Sequence, residues 1–551
     1  MINKFSIGLV GKITGKKFDA GIPAKPEPDV KTSILYINDL HSRLANMDGI
    51  KAKVDEFKHN NTDTDQFKLS GGDMKVGLGD KVGDLVFRFM NLIGIDLSAI
   101  GNHEFDAGAE KLQQQIDKIN EYAKQNNSST FKFVATNLDV NPNNALYKSI
   151  KDKKIVKSWV MTRNNHEYGF VGAIPTDLKE SARLNPGIEG ISIKNLKETA
   201  KEIQQEVDQL KGKNINKIVL LSHLGYQRDT YIAKNVSGID VIVGGHSHHN
   251  LNGVNKGKNL ILSPSKEPVI IVQGGKDGEY LGKLDVIFDS KGIIKSAKNN
   301  VSPTNQKIKD PEVEKLQDEI LGKAEDIGLL KTKYNPIEQY RCENPLASFF
   351  CDAMKKKAGT QIALLINNSA LITNGLNAGK ITTRDIQNLS TFKDRVYKMN
   401  LSGKELQEIL DWGVDKSKRS SPIQVSGMKY FANNGKTTSL LLEKSESSTE
   451  LIEPDKQYSV ALDEHIIYKA NLSKAFNILK ILESKDKKEL GWDKGETVIE
   501  YIKSFNNKPF EVKPDNRIII NDSPGHTDYA SLIYKQILNT ALPEKKFAQT
   551  A

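Results

Sequence analysis

The chain has 551 residues and carries 79 basic against 69 acidic side chains, a net charge of +10, with 38% hydrophobic and 27% charged residues. That balance is globular rather than disordered, and the length calls for two or three cores. The lysines are spread among acids with no dense basic block interleaved with aromatics, which argues against a nucleic-acid partner; the mild positive field favours anionic substrates. No apolar run approaches the length of a transmembrane helix. The two cysteines, Cys342 and Cys351, lack C-x-x-C spacing and read as reduced thiols.

In chain order, residues 1–32 read as a flexible tail, with Pro23, Pro26 and Pro28 keeping it extended. Its apolar patch is too short for a signal-peptide core, so the sequence alone points to the cytoplasm. Gly11-Lys12 and Gly15-Lys16 fail as phosphate loops, because Ser6 and Val10 stand where the leading glycine is required. From residue 33 one theme recurs: a short apolar run ends in a polar turn. Ser33–Ile37 ends in Asn38-Asp39-Leu40-His41, Gln66–Ser70 in Gly71-Gly72-Asp73, and Leu97–Ile100 in Gly101-Asn102-His103-Glu104. Ile218–Leu221 ends in Ser222-His223, and Val241–Val243 in Gly244-Gly245-His246-Ser247-His248. Such runs predict buried strands. The helical stretches Gly83–Leu92, Ala109–Gln125 and Leu196–Leu210 lie between them, which predicts a layered α/β domain with its ligands at the strand ends.

A β-rich stretch, Val269–Phe288, closes this domain, and a polar segment follows over Asp289–Gln306. A connecting helix is predicted from Pro311 to about Leu330, within a linker over 306–334. A second α/β domain spans 335–521. Its expected elements are helix Pro345–Lys357, strand Ile362–Ile366, helix Gly403–Trp412, and strands around Val425–Phe431 and Tyr458–Leu462. Residues 522–551 read as an amphipathic helix, Tyr529–Leu538, and a polar tail.

Each polar cluster is weak evidence alone. Asp39 and His41, two apart on extended chain, point to one side and can grip one ion. His246 and His248 repeat that spacing. Together the clusters supply Asp39, His41, Asp73, Asn102, His223, His246 and His248, which is too many ligands for one ion and suitable for two sharing a bridging carboxylate. Carboxylate, amide and imidazole without thiolate suit Mn²⁺, Fe²⁺, Co²⁺ or Zn²⁺. Two such ions roughly 3.5–4 Å apart serve in-line displacement at phosphorus.

These residues resemble the calcineurin-like metallophosphoesterases. Gly101-Asn102-His103-Glu104-Phe105-Asp106-x-Gly108, Ile37-Asn38-Asp39-Leu40-His41-Ser42 and Val272-Gln273-Gly274-Gly275-Lys276 are similar to the 5′-nucleotidase branch. The resemblance covers roughly residues 33–520. It implies a metallophosphoesterase β-sandwich flanked by helices over 33–305, and a second α/β domain that binds substrate. It also implies one metal on Asp39, His41 and His248, another on Asn102, His223 and His246, and Asp73 between them. His103, oriented by Asp106, would stabilise charge developing on the phosphoryl oxygens. His249 has no role in the family and is expected as an exposed neighbour.

The second domain departs from the family. Asn367-Asn368-Ser369-Ala370-Leu371-Ile372 keeps the Asn of Asn-x-Gly-Gly-Ile-Arg but neither the double glycine nor the phosphate-binding Arg. Arg341-Cys342-Glu343 resembles an Arg-x-x-Glu stretch but is one residue short, and Asp463-Glu464-His465 stands where Gly-Gly-Asp-Gly is usual. Pro422 lies near the position of an aromatic base-stacker. Asn367 and Arg341 are therefore the candidate substrate contacts, in a pocket less specific for nucleotides. The expected function is hydrolysis of a phosphate monoester, foremost a nucleoside 5′-phosphate. The alternatives are a cyclic nucleotide, a nucleotide-sugar pyrophosphate or a non-nucleotide phosphate on the same metals, and, from another class, a non-catalytic binding protein. Members of the family are often periplasmic or extracellular.

Overall fold

In the first strand, Val30–Ile37, alternate side chains enter different cores: Ile34 and Tyr36 meet one apolar cluster, Leu35 and Ile37 another. Ile34–Ile37 is covered on both faces, which is why this part of the strand is apolar at every position and shows no polar alternation. The computed structural model describes residues 29–60, 63–181, 187–305, 307–335, 343–366, 375–390, 392–415, 417, 421–445, 448–483 and 487–521.

Two large sheets face each other. The first has seven strands, in the order Ile294–Pro303, Tyr280–Phe288, Val30–Ile37, Asp65–Ser70, Leu97–Ser98, Lys132–Val134 and Ile155–Val156. The second has six, in the order Leu260–Leu262, Pro268–Val272, Val241–Val243, Ile218–Ser222, His166–Ala173 and Ser158–Arg163. Phe67, Leu69 and Leu97 from one sheet and Phe170, Leu221 and Val243 from the other share the apolar layer between them. Helices Met47–Asn60, Asp80–Leu92 and Gly108–Gln125 cover the outer face of the first sheet, and Leu196–Lys211 and Tyr226–Asn235 that of the second. This is the α/β sandwich flanked by helices that the sequence predicts.

Parallel pairing brings the strand ends level. Ile37 pairs with Ser70, and Ser70 with Ser98. In the other sheet Leu221 pairs with Val243, and Val243 with Val272. The turns after these strands therefore meet at one edge of the sandwich.

Three expectations change. The first strand begins at Val30, so the end of the expected tail is already paired, Val30 with Phe288. The polar segment after Phe288 contains the strand Ile294–Pro303, whose polar side chains suit the outermost strand of the sheet. The connecting helix runs Pro311–Leu321, not to Leu330, because Gly322 leaves the helical conformation at φ +86°; Asp326–Leu330 is instead a strand paired with Gly379–Thr382. Asp310 caps this helix through two backbone N–H groups, with Pro311 as its first residue.

Farther along lies a five-stranded sheet in the order Ile423–Ser426, Ile362–Ile366, Gln457–Asp463, Arg395–Ser402 and Lys488–Asp493. Ile362, Leu364 and Ile366 face one core, Ala363 and Leu365 another that includes helix Pro345–Ala358. A four-stranded sheet completes this half. Cys351 is a buried free thiol. The helix Pro311–Leu321 joins the halves: Val313 and Leu316 enter the first core, while Arg384 bonds Gln317 Oε1 at 2.6 Å and Gly322 O at 2.8 Å. A second contact, Leu78 N–H to Phe392 O at 3.0 Å, lies on the loop that follows Asp73. Among the described residues no helix is long and apolar enough to cross a membrane.

Candidate metal centre

At the shared edge the backbone is strained where the chemistry lies. Asp39, His41, Asp73, His246 and His248 all adopt positive φ, between 50° and 71°. Non-glycine residues rarely enter this region and persist there only where their surroundings hold them. Their surroundings are tight. A Cβ on Gly101 would lie 2.1 Å from Asp73 Oδ1, so only glycine lets the two turns interlock. Glu104 is buried and accepts Gly101 N–H at 2.7 Å, Met74 N–H at 2.9 Å and Asp73 N–H at 3.0 Å, binding the second turn to the third. Gln273 donates to Gly245 O at 2.6 Å, and Asn38 donates to Gly275 O and to Asp39 Oδ2, both at 2.7 Å.

The side chains converge. His248 Nε2 lies 3.3 Å from Asp39 Oδ1, and His41 Nε2 lies 3.7 Å from both Asp39 Oδ1 and Asp73 Oδ2. His223 Nε2 stands 2.9 Å from Asp73 Oδ2. His246 Nδ1 lies 2.9 Å from Asn102 Oδ1. Three triads offer donor atoms within 4.8 Å of one another: Asp39, His41 and His248; His41, Asp73 and His103; and Asp73, His223 and His246. The buried His41 Nε2 and His223 Nε2 have no partner in hydrogen-bond geometry among the described residues. Buried nitrogens left in this way, beside two buried carboxylates, fit a cation that all of them share. The donor set therefore fits a divalent metal cofactor.

Electrostatics agree. Burial pushes His41 down, but Asp277 and Asp73 outweigh it and hold the imidazole up to about 10. Burial likewise opposes charge on His223, and Asp73 again wins, also to about 10. Asp73 is held well below the usual carboxylate range against its burial, by His223 and His103. Burial and the charge of His223 lower His246 to about 4.

His103 sits beside these groups. Its Nδ1 is 2.8 Å from Asp106 Oδ2, and its backbone N–H donates to Asp73 Oδ1 at 2.8 Å. Burial opposes the imidazolium, but Asp106 and Asp73 raise its pKa. Asp106 is fixed in turn by Gly77 N–H at 2.6 Å. His249 is exposed, as expected: its ring rests against Tyr226 and its Nδ1 lies 2.9 Å from Ser247 Oγ. Asn367 and Arg341 lie outside the described residues.

Sequence reasoning missed one neighbour of the site, Asp277. It lies 3.0 Å from His41 Nδ1, receives Arg43 Nη2 at 3.3 Å, and its backbone N–H bonds Asp39 O at 2.6 Å. A carboxylate on one imidazole nitrogen fixes the other as a lone-pair donor. Asp277→Ala is expected to weaken Mn²⁺ binding by about 10–100-fold, with Asp277→Asn nearer the unaltered protein, as read by calorimetry.

Residues 322–478 match the family model described as 5′-nucleotidase, C-terminal domain. The chain is 28% identical over 520 residues to the trifunctional nucleotide phosphoesterase protein YfkN of Bacillus subtilis, covering 86% of this chain and 34% of that protein. It is 30% identical over 317 residues to the 5′-nucleotidase of Bos taurus, covering 51% of each. The chain thus spans between a third and a half of the length of these relatives. In fold it is similar to the crystal structure of a 5′-nucleotidase precursor from Thermus thermophilus, with a TM-score of 0.65, 23% identity, and coverage of 90% of this chain and 100% of that one. With a donor set suited to a divalent cation at the strand ends of a layered sandwich, the chain is thus similar to 5′-nucleotidases in both halves, and residues 322–478 match their C-terminal domain.

Proposed function

We propose that this protein is a two-metal phosphoesterase that releases phosphate from a nucleoside 5′-phosphate. The observation that carries this reading is the convergence of three donor triads, the first linked to the second by His41 and the second to the third by Asp73. In this reading Asp39, His41 and His248 hold one cation, Asn102, His223 and His246 the other, and Asp73 lies between. Bound cations of this kind supply Lewis-acid stabilisation of the phosphoryl oxygens and favour ionisation of water near neutral pH.

The chain's own residues do the rest. Asp39 and Asp73 bring the negative charge that retains cations. Asp277 and the carbonyl of Gly71, which accepts His223 Nδ1–H at 2.6 Å, turn the Nε2 atoms of His41 and His223 inward. His103, whose charged form Asp106 favours, donates to a phosphoryl oxygen as negative charge grows there. The test is phosphate release from a panel of nucleoside mono-, di- and cyclic phosphates and an aryl phosphate, with added Mn²⁺. Nucleoside 5′-monophosphates should turn over fastest; equal rates across the panel would reject the nucleotide preference.

One observation favours a second, broader substrate reading. Asp463-Glu464-His465 does not form an open glycine loop. Asp463 caps helix Glu464–Leu472 through His465 N–H at 2.7 Å and pairs with Lys494 at 3.0 Å. Glu464 accepts Arg395 Nη2 at 2.6 Å. These groups are committed to structure, so recognition of the nucleoside falls to fewer residues and other phosphate esters remain candidates.

Metal loading has a proton signature. Without metal, His41 and His223, both raised to about 10, carry protons at pH 7, whereas His246 at about 4 does not. Ligating nitrogens must be neutral, so loading should release about two protons at pH 7 and weaken as pH falls. Calorimetry in buffers of different ionisation enthalpy measures this; no release would contradict the ligand roles of both histidines.

A further inference from the structure

Lys75 is an unexpected side chain for an interior. It is 2% exposed and stands in the chain between the buried apolar residues Met74 and Val76. Burying an amine costs free energy unless polar partners offset it. An apolar side chain could fill the same space without that cost, which points to a task for the amine. Burial lowers its pKa, while Asp106, Glu104 and Asp73 act to raise it. Its Nζ donates to the main-chain carbonyl of His103 at 3.1 Å.

That contact is one of three by which a single loop grips His103. The loop joins strand Asp65–Ser70 to helix Asp80–Leu92. Asp73 Oδ1 accepts the main-chain N–H of His103 at 2.8 Å, and Lys75 Nζ donates to its carbonyl. Gly77 N–H donates at 2.6 Å to Asp106 Oδ2, the oxygen that lies 2.8 Å from His103 Nδ1. Peptide units are planar, so holding the N–H on one side of the His103 Cα and the C=O on the other fixes the direction in which its Cβ leaves the chain. The ring then keeps two torsions, and the bond to Asp106 settles them. Within the short 3₁₀ helix His103–Phe105, the same carbonyl also accepts Asp106 N–H at 3.2 Å. The turn therefore has a support of its own, and Lys75 adds its tilt against the Asp73 loop.

We propose that Lys75 is a positioning residue for phosphate-ester hydrolysis, fixing the imidazole of His103 against the metal centre by holding its main-chain carbonyl. The proposal rests on the phosphoesterase reading above, in which His103 donates to a phosphoryl oxygen. Lys75 itself lies outside every donor triad. A displacement of about 1 Å in such a group is enough to cost about 100-fold in rate.

The test is a double-mutant cycle with AMP and added Mn²⁺. Lys75→Met removes the donor and keeps the bulk of the side chain. It should lower kcat by about 10–100-fold, with KM and bound metal within about twofold of the unaltered protein. In a His103→Ala background the carbonyl is still present but the ring is not, so the same substitution should change kcat by less than about threefold. A loss caused merely by loosening the fold would appear in both backgrounds. Lys75→Gln, with a polar head on a side chain one bond shorter, serves the same cycle if methionine beside these carboxylates prevents folding. Equal loss in the two backgrounds, or an unchanged kcat in Lys75→Met, would overturn the role of Lys75 and leave the phosphoesterase reading in place. Absence of turnover in the unaltered protein would instead reject that reading, and this proposal with it.

Discussion

Asp73→Asn is expected to remove turnover almost completely. Asp73 belongs to two of the three donor triads, and its Oδ2 lies 2.9 Å from His223 Nε2 and 3.7 Å from His41 Nε2. An amide in its place has similar shape but no charge, and only one of its two terminal atoms can ligate. Lewis-acid stabilisation of a phosphoryl group is worth several kcal/mol, and each step of about 1.4 kcal/mol is tenfold in rate, so the loss should be about 10³-fold or more in kcat. Metal analysis of the same variant should show reduced occupancy. His249→Ala is the control, because His249 is exposed and outside every triad; its activity should stay within about threefold. Equal loss in both variants would reject the role given to Asp73.

His103 and Asp106 act differently, and their variants should separate chemistry from metal binding. His103→Ala is expected to lower kcat by about 10²–10³-fold, the usual effect of deleting one donor to a developing oxyanion, while metal content stays near that of the unaltered protein. Asp106→Asn should cost less in rate but change its pH dependence. Asp106 is among the groups that raise the pKa of His103 against burial. The imidazolium is the donating form, so activity falls as pH rises through that pKa. Removing the carboxylate's charge lowers the pKa, and the alkaline limb of the kcat profile should move to lower pH. An unmoved limb would show that Asp106 serves only to shape the loop, through Gly77 N–H.

The candidate donors are legible in the sequence because each follows a short apolar strand, and parallel pairing brings those strand ends level. Asp277 is not, because it touches His41 across 236 positions of sequence and sits in a turn that reads as ordinary hairpin chemistry. Glu104 is visible as a letter of a motif, but its task, accepting backbone N–H groups from two turns, depends on how those turns interlock. The strand Ile294–Pro303 is hidden because an outermost strand can be largely polar. The connecting helix looks too long in the sequence because the apolar pattern continues past Gly322 into a strand. In the second half the residues Asp463-Glu464-His465 visibly replace a glycine-rich loop; that Lys494 and Arg395 hold those acids emerges only in three dimensions.

The proposed pair of metal ions with Asp73 between them is the central claim, and anomalous scattering from crystals of the Mn²⁺-loaded protein tests it most directly. Two peaks about 3.5–4 Å apart are expected, one against Asp39, His41 and His248, the other against Asn102, His223 and His246, with Asp73 touching both. A single peak, or none beside Asp73, would contradict it.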